Sequence, residues 1–310
     1  MEFKEKSLKR RNGSMRITRR EFLKWAATSA AALGLSQLDL LRLEKVLADS
    51  SAPPVIWIQG ASCSGCAISL LNVTDPTTVD DVLLNHISLK YHPNLSAVAG
   101  HMAMEKIEYE MIDKMGQFIL VVEGSVPTSA NGKYCIVGEK TDGTPWTMYQ
   151  AVQDLAAKAK YVIAAGTCAA FGGIPGGNPN PTSVVHLDEI VEKNKVVNLP
   201  ACPVHPTHLV KVILELISTG MPALDGEGRP KAFFSRKLHS NCPRRGTSRA
   251  KKIGEFGCMN GLGCNGPNTY IDCPLVKWNN GVNWCIGSNH PCIGCAYPGF
   301  PDAVSPFYKF

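Results

Sequence analysis

Twelve cysteines in 310 residues are the chemistry this sequence offers most plainly. The first two, Cys63 and Cys66, stand in the stretch Gly60–Cys66, separated by Ser64 and Gly65. An apolar run, Val55–Gln59, precedes the stretch and reads as a buried strand, and Ala67–Leu71 after it can open a helix. Two cysteines in a strand-to-helix turn serve as a dithiol redox pair, as half of a zinc site or as part of an iron–sulfur site. The pair alone does not choose among them.

The elements around the pair bring further thiols to it. Strands are expected at Val55–Gln59, His86–His92, Phe118–Glu123, Tyr161–Gly166 and Val196–Leu199. Helices are expected at Ala67–Leu71, Glu105–Lys114, Thr147–Ala159, Val185–Lys193 and His208–Thr219, the last with Leu209, Val212, Ile213, Leu216 and Ile217 at helical spacing. Strands alternating with helices predict a flavodoxin-like parallel sheet in an α/β domain over residues 53–220. Ligands bind such sheets beyond the carboxyl ends of the strands. Four loops lie there: Gly60–Cys66, Gly124–Pro127, Gly166–Ala169 and Pro200–Pro203. Cys63, Cys66, Cys168 and Cys202 therefore meet on one sheet edge, as four thiolates suited to zinc or to a four-iron cubane. The alternative for Cys168 and Cys202 is that of small buried core residues. No glycine pattern for dinucleotide or phosphate binding accompanies these loops. Cys135 has no metal-type neighbour in sequence and reads as structural.

Composition shifts after Gly220. Residues 221–310 are rich in Gly, Pro, Asn and Cys, and a loop-rich segment of that size needs covalent or metal staples. His239, Cys242, Cys258 and Cys264 form one four-ligand set in chain order, and Cys273, Cys285, Cys292 and Cys295 a second. Zinc suits either set, although the irregular spacing differs from paired zinc knuckles. Cys292 and Cys295, with Ile293 and Gly294 between them and Pro298 after them, resemble a ferredoxin half-motif.

Charge argues against nucleic acid. The chain is formally +6 overall, with 32 Lys and Arg against 26 Asp and Glu. Residues 1–48 hold 11 basic and 5 acidic residues, which leaves 21 of each sign for the remainder. Arg19-Arg20 followed by Phe22-Leu23-Lys24 is similar to a twin-arginine export signal, and Val46–Ala48 offers small residues for cleavage after Ala48. The expected location is therefore the periplasm or the outer face of the cytoplasmic membrane, reached by a protein exported folded. The apolar stretch Trp25–Leu35 is short for a membrane span, and no apolar span ends the chain.

From Val55 onward the chain resembles the small, electron-transferring subunit of nickel–iron hydrogenases. The resemblance rests on Cys63 and Cys66, Glu123–Pro127, Gly166–Ala169, Cys202-Pro203, His239 and Cys242-Pro243, Cys258 through Pro267, Cys273-Pro274, Asn283-Trp284 and Cys292–Cys295. It implies three iron–sulfur clusters in a row. A proximal cubane would use Cys63, Cys66, Cys168 and Cys202, facing a nickel–iron centre in a separate large subunit. A distal cubane would use His239, Cys242, Cys258 and Cys264, near the docking place of a cytochrome or other redox carrier. The implied reaction is H2 = 2 H+ + 2 e−, with no acid, base or nucleophile contributed by this chain.

The middle site departs from the commoner pattern. Many members hold a three-iron cluster there on three cysteines, with proline after the Asn-Trp pair. Here Cys285 occupies that position, and with Cys273, Cys292 and Cys295 it makes a four-iron cubane the expectation; a spectator Cys285 leaves a three-iron cluster. The selenium-containing branch shares this feature. Oxygen-tolerant members carry two further cysteines at positions matching Gly65 and Gly173, so an ordinary proximal cubane and an oxygen-sensitive enzyme are expected. The basic run Arg244, Arg245, Arg249, Lys251 and Lys252 reads either as a solvated loop or as a docking patch for an acidic carrier. Two rivals remain. A peripheral subunit of respiratory complex I resembles the first body only, and an exported zinc- or disulfide-stapled protein would be colourless.

Overall fold

The strand register follows from which apolar runs can be buried on both faces. The computed structural model describes residues 52–304; the leader, with its arginine pair and Ala48, lies outside the described residues. Five strands form one parallel sheet: β1 (Pro54–Gln59), β2 (Ser88–Tyr91), β3 (Ile119–Glu123), β4 (Tyr161–Ala165) and β5 (Val196–Leu199). Their order is β2-β1-β3-β4-β5, the flavodoxin order. Side chains alternate between two cores, as a pleated strand requires. Val55, Trp57, Val121, Ile163 and Leu199 face one core, and Ile56, Ile58, Leu120, Val122 and Val162 face the other.

Helices cover both faces. On the first lie α1 (Gly65–Leu71), which buries Ala67 and Leu70, and α5 (Pro206–Ser218), which buries Leu209, Val212, Ile213 and Leu216. On the second lie α2 (Gly100–Asp113) and α3 (Met148–Lys158), with the short α4 (Thr167–Phe171) at the sheet edge. Sequence determines where the helices begin. Pro206 sits in the first turn of α5, where its missing N–H costs nothing. Thr147 and Gln150 form a reciprocal capping box on α3, a device worth about 1 kcal/mol. Complete burial of each large aliphatic side chain on α5 adds roughly 1.5–3 kcal/mol.

The expected helix over Val185–Lys193 is absent. Val184–Val185 instead pairs antiparallel with Val126–Pro127, and Leu187–Glu189 makes a single 3-10 turn behind His186. Valine's branched Cβ fits a strand pair better than a helix start, and the ladder won. The other four expected helices and all five strands are present, with ends shifted by a few residues.

Beyond Gly220 the chain is mostly loop. Its regular pieces are short, among them turns at Leu238–Asn241 and Met259–Leu262 and one helical turn at Cys273–Val276. Backbone hydrogen bonds tie these loops to each other: Leu238 N–H to Thr269 O at 2.8 Å, Asn265 N–H to Cys292 O at 2.8 Å and Cys258 N–H to Ser248 O at 2.8 Å. Phe234, Leu238, Met259, Ile271, Trp284 and Ile286 join the same core as the first sheet face. The loop-rich segment thus packs directly on the side of the sheet that α1 and α5 cover.

Candidate metal centres

Strand order reverses between β1 and β3, and the crevice beyond their carboxyl ends is the natural ligand position of such a sheet. The Gly60–Cys66 loop leaves β1 there and turns into α1 through Ser64, which adopts a left-handed conformation at φ 62°. Its thiols meet those of two neighbouring loops. Cys66 Sγ accepts the Val204 N–H at 3.4 Å, so the loop after β5 closes over the loop after β1. Gly166 ends β4 with φ +85°, and a Cβ there would stand 2.5 Å from Cys66 Sγ. Only glycine fits that position. Gly173 is similar, at φ +54°, with a Cβ position 2.8 Å from Cys168 Sγ. Cys168 and Cys202 stand near enough to Cys66, and Cys63 and Cys202 near enough to Cys168, for ionisation of one to be disfavoured by ionisation of the others. Cys63, Cys66, Cys168 and Cys202 therefore form one set, with Cys63 and Cys202 exposed at its outer side.

The second set surrounds a cavity of about 370 Å3 lined by Cys273, Cys285, Cys292 and Cys295, with Trp278, Trp284 and Thr269 among its walls. Cys273 and Cys292 are buried, Cys295 is half-buried and Cys285 is exposed. The third set, His239, Cys242, Cys258 and Cys264, lines a separate pocket between the turns at Leu238–Asn241 and Met259–Leu262. Neighbouring sets touch. Cys202 of the first also lines the cavity of the second, and Cys264 of the third acts electrostatically on Cys285 and Cys292. The order along the molecule is first, second, third.

All twelve cysteines are free thiols. Burial pushes Cys168 and Cys292 each up to about 12 and raises Cys66, Cys273 and Cys295 as well. Such thiols stay protonated at neutral pH unless a cation replaces the proton, so metal loading releases protons. Among the described residues no three His, Cys, Asp or Glu side chains stand close enough to hold a single metal ion. Cys135 stands apart, half-buried against the second core.

Several groups around the thiols are silent in the sequence. The indole N–H of Trp278 lies beside Cys273 and works against the upward push of burial there, as backbone N–H groups of Ile174, of Gly294 and of Arg244 and Arg245 do for Cys168, Cys292 and Cys242. Glu123, at the end of β3, accepts the Cys66 N–H at 3.0 Å. The one legible signal is a residue two places after a cysteine, as Arg244 and Gly294 are. Trp278 and Glu123 reach their thiol loops through the fold alone.

The basic run divides. Arg245, Arg249, Lys251 and Lys252 are exposed. Arg244 is half-buried, stacked 3.6 Å over the Phe256 ring and bonded to Asn289 Oδ1 at 2.9 Å, so it braces the third pocket instead of facing solvent. Glu255 accepts the Lys251 N–H at 3.0 Å and lies 3.9 Å from the Lys252 ammonium, which offsets part of the patch.

A flavodoxin-ordered sheet whose ligand edge carries thiols, followed by two more thiol sets, defines an α/β protein with three cysteine-rich candidate metal centres. Residues 63–216 match the family model of the NADH ubiquinone oxidoreductase 20 Kd subunit, and residues 234–308 match that of the C-terminal region of the NiFe/NiFeSe hydrogenase small subunit. The chain is 41% identical to the periplasmic [NiFeSe] hydrogenase small subunit of Desulfomicrobium baculatum, over 95% of this chain and 99% of that one. It belongs to the NiFe/NiFeSe hydrogenase small-subunit family. The periplasmic [NiFe] hydrogenase small subunit of Solidesulfovibrio fructosivorans is 35% identical, over 94% of this chain and 93% of that one. Among solved structures, the [NiFeSe] hydrogenase of Desulfomicrobium baculatum superposes with a TM-score of 0.78 at 40% identity, covering 84% of this chain and 99% of that chain. The recombinant [NiFeSe] hydrogenase of Desulfovibrio vulgaris Hildenborough gives the same TM-score, identity and coverage. The match over residues 234–308 separates the chain from the complex I subunit that its first body also resembles.

Proposed function

We propose that this chain is the electron relay of a periplasmic hydrogenase, passing electrons between a nickel–iron centre in a large subunit and an external carrier through three iron–sulfur sites. The observation that carries this reading is the succession of three adjoining thiol sets, beginning at an exposed sheet edge and ending beside an exposed basic loop. Cys63, Cys66, Cys168 and Cys202 would hold the proximal [4Fe-4S] cluster, and the exposure of Cys63 and Cys202 suits a site that the large partner would cover. Cys273, Cys285, Cys292 and Cys295 would hold the middle cluster, and their cavity of about 370 Å3 has the room and the four thiols that a cubane needs. His239, Cys242, Cys258 and Cys264 would hold the distal one.

When bound, such clusters supply one-electron redox chemistry. The work of this chain's residues is to hold them. Trp284, Ile271 and Leu238 keep the middle cavity apolar, and N–H groups such as that of Trp278 stabilise negative charge on sulfur. No helix among the described residues is long and apolar enough to cross a membrane; periplasmic residence fits the names of the relatives, and the arginine pair at Arg19-Arg20 is the basis for expecting twin-arginine export. The glycines at 65 and 173 leave the first set with four thiols, which is the basis for expecting an oxygen-sensitive enzyme.

Metal analysis tests the reading. About twelve irons per chain, with visible absorbance, are expected for three cubanes. Stoichiometric zinc and a colourless protein would refute it. The carrier reading rests on Arg245, Arg249, Lys251 and Lys252. Reversing these four charges should slow electron delivery to an acidic carrier at low salt and flatten its salt dependence. Unchanged kinetics would return the run to the status of a solvated loop.

A further inference from the structure

Glu123 is a buried carboxylate at the first thiol set, only 1% exposed. Four donors converge on it. Cys66 N–H and Ser62 Oγ–H reach Oε1, each at 3.0 Å, and Trp57 Nε1–H and Gln59 Nε2–H reach Oε2 at 3.1 and 2.8 Å. Among the described residues no Lys, Arg or His pairs with it. An ionised carboxylate accepts at all four positions, whereas a protonated one would set an O–H among donors. Burying a charge without a cation is costly, and charge-assisted hydrogen bonds offset that cost.

A purely structural role would be a staple between β1 and β3, which Oε2 alone performs through Trp57 and Gln59. Oε1 is committed to the loop that carries Cys63 and Cys66. A fixed negative charge opposes the addition of an electron at the same place.

We propose that Glu123 is the positioning residue of the first site, fixing the Cys63–Cys66 loop through the Cys66 N–H and Ser62 and holding down the reduction potential of the group bound there by its uncompensated buried charge. The inference rests on the reading that Cys63, Cys66, Cys168 and Cys202 hold an iron–sulfur cluster. It ascribes to Glu123 no proton transfer and no contact with substrate.

The test is a potentiometric titration of the assembled two-subunit enzyme, followed by electron paramagnetic resonance, on the native chain, Glu123→Gln and Glu123→Asp. Glutamine keeps the shape and the acceptor facing Cys66 and Ser62 but removes the charge. Expected for Glu123→Gln is native iron content, with the reduced-to-oxidised ratio of the first site raised at least tenfold at a fixed potential, about 59 mV for one electron. The other two sites should move less. Glu123→Asp, which keeps the charge, should retain the native potential. An unchanged first-site potential in an iron-replete Glu123→Gln enzyme overturns the proposal. If the glutamine variant loses iron, Glu123→Asp decides: native iron and potential support the carboxylate, and a potential displaced tenfold or more overturns it. A native enzyme with no first-site iron–sulfur signal would instead overturn the reading of the thiol set.

Discussion

Cys168→Ala stops hydrogen-driven reduction of an external dye while hydrogen–deuterium exchange by the assembled enzyme continues. The expectation follows from where Cys168 stands. It opens α4 at the end of β4, its sulfur lies against Gly173, and Cys63 and Cys202 stand near it across the first set. Three thiols from two other loops depend on the fourth to close the site. Exchange requires only hydrogen cleavage, proposed for the large subunit, whereas dye reduction requires electrons to leave through this chain. An intact heterodimer, checked by gel filtration, separates loss of transfer from loss of assembly. Equal loss of both activities in an intact heterodimer would contradict the division of labour, and undiminished dye reduction would remove the first set from the path.

The second large effect belongs to Cys285. It lines the middle cavity with three buried or half-buried thiols, yet is itself exposed, so its removal leaves no buried hole in the core. Cys285→Ala should therefore keep the fold and change the metal. Iron should fall from about twelve to about eleven per chain, and a three-iron signal absent from the native oxidised protein should appear. Loss of one thiolate also removes negative charge, so the middle site should become easier to reduce. A native protein that already shows a three-iron signal would make Cys285 a spectator, as would a variant with unchanged iron.

The sheet was legible because its strands are short apolar runs bounded by Gly, Pro and charge, and because one rule places ligands beyond their carboxyl ends. That rule brought Cys63, Cys66, Cys168 and Cys202 together from distant parts of the chain without any contact being known, and the same four thiols share one edge of the structure. The two later sets could be grouped by chain order, although their irregular spacing left the choice of metal open. What failed was local. Val185–Lys193 has apolar spacing that a helix tolerates, but Val184 and Val185 find a strand partner at Val126–Pro127. What stayed hidden was the surround. Glu123 lies 57 residues from Cys66, and its partners Trp57, Gln59 and Ser62 read as an ordinary strand and loop. Trp278 stands close to Cys273 in the chain, yet nothing in their spacing shows an indole N–H aimed at a sulfur. Arg244 looked like one more charge in a basic run, and the ring of Phe256 and the amide of Asn289 turn it inward.

These hidden groups are where the potentials of the three sites would be set, since the thiols themselves are much alike. The apolar walls of the middle cavity would keep water from a bound group, and the N–H groups around each set would stabilise negative charge on its sulfurs.

The most direct measurement is reduction of the anaerobic two-subunit enzyme by hydrogen alone, followed by visible absorbance and electron paramagnetic resonance. Hydrogen should bleach the visible absorbance and bring out reduced signals from three distinct iron–sulfur centres. A colourless protein, or iron–sulfur centres that hydrogen leaves oxidised, would contradict the relay.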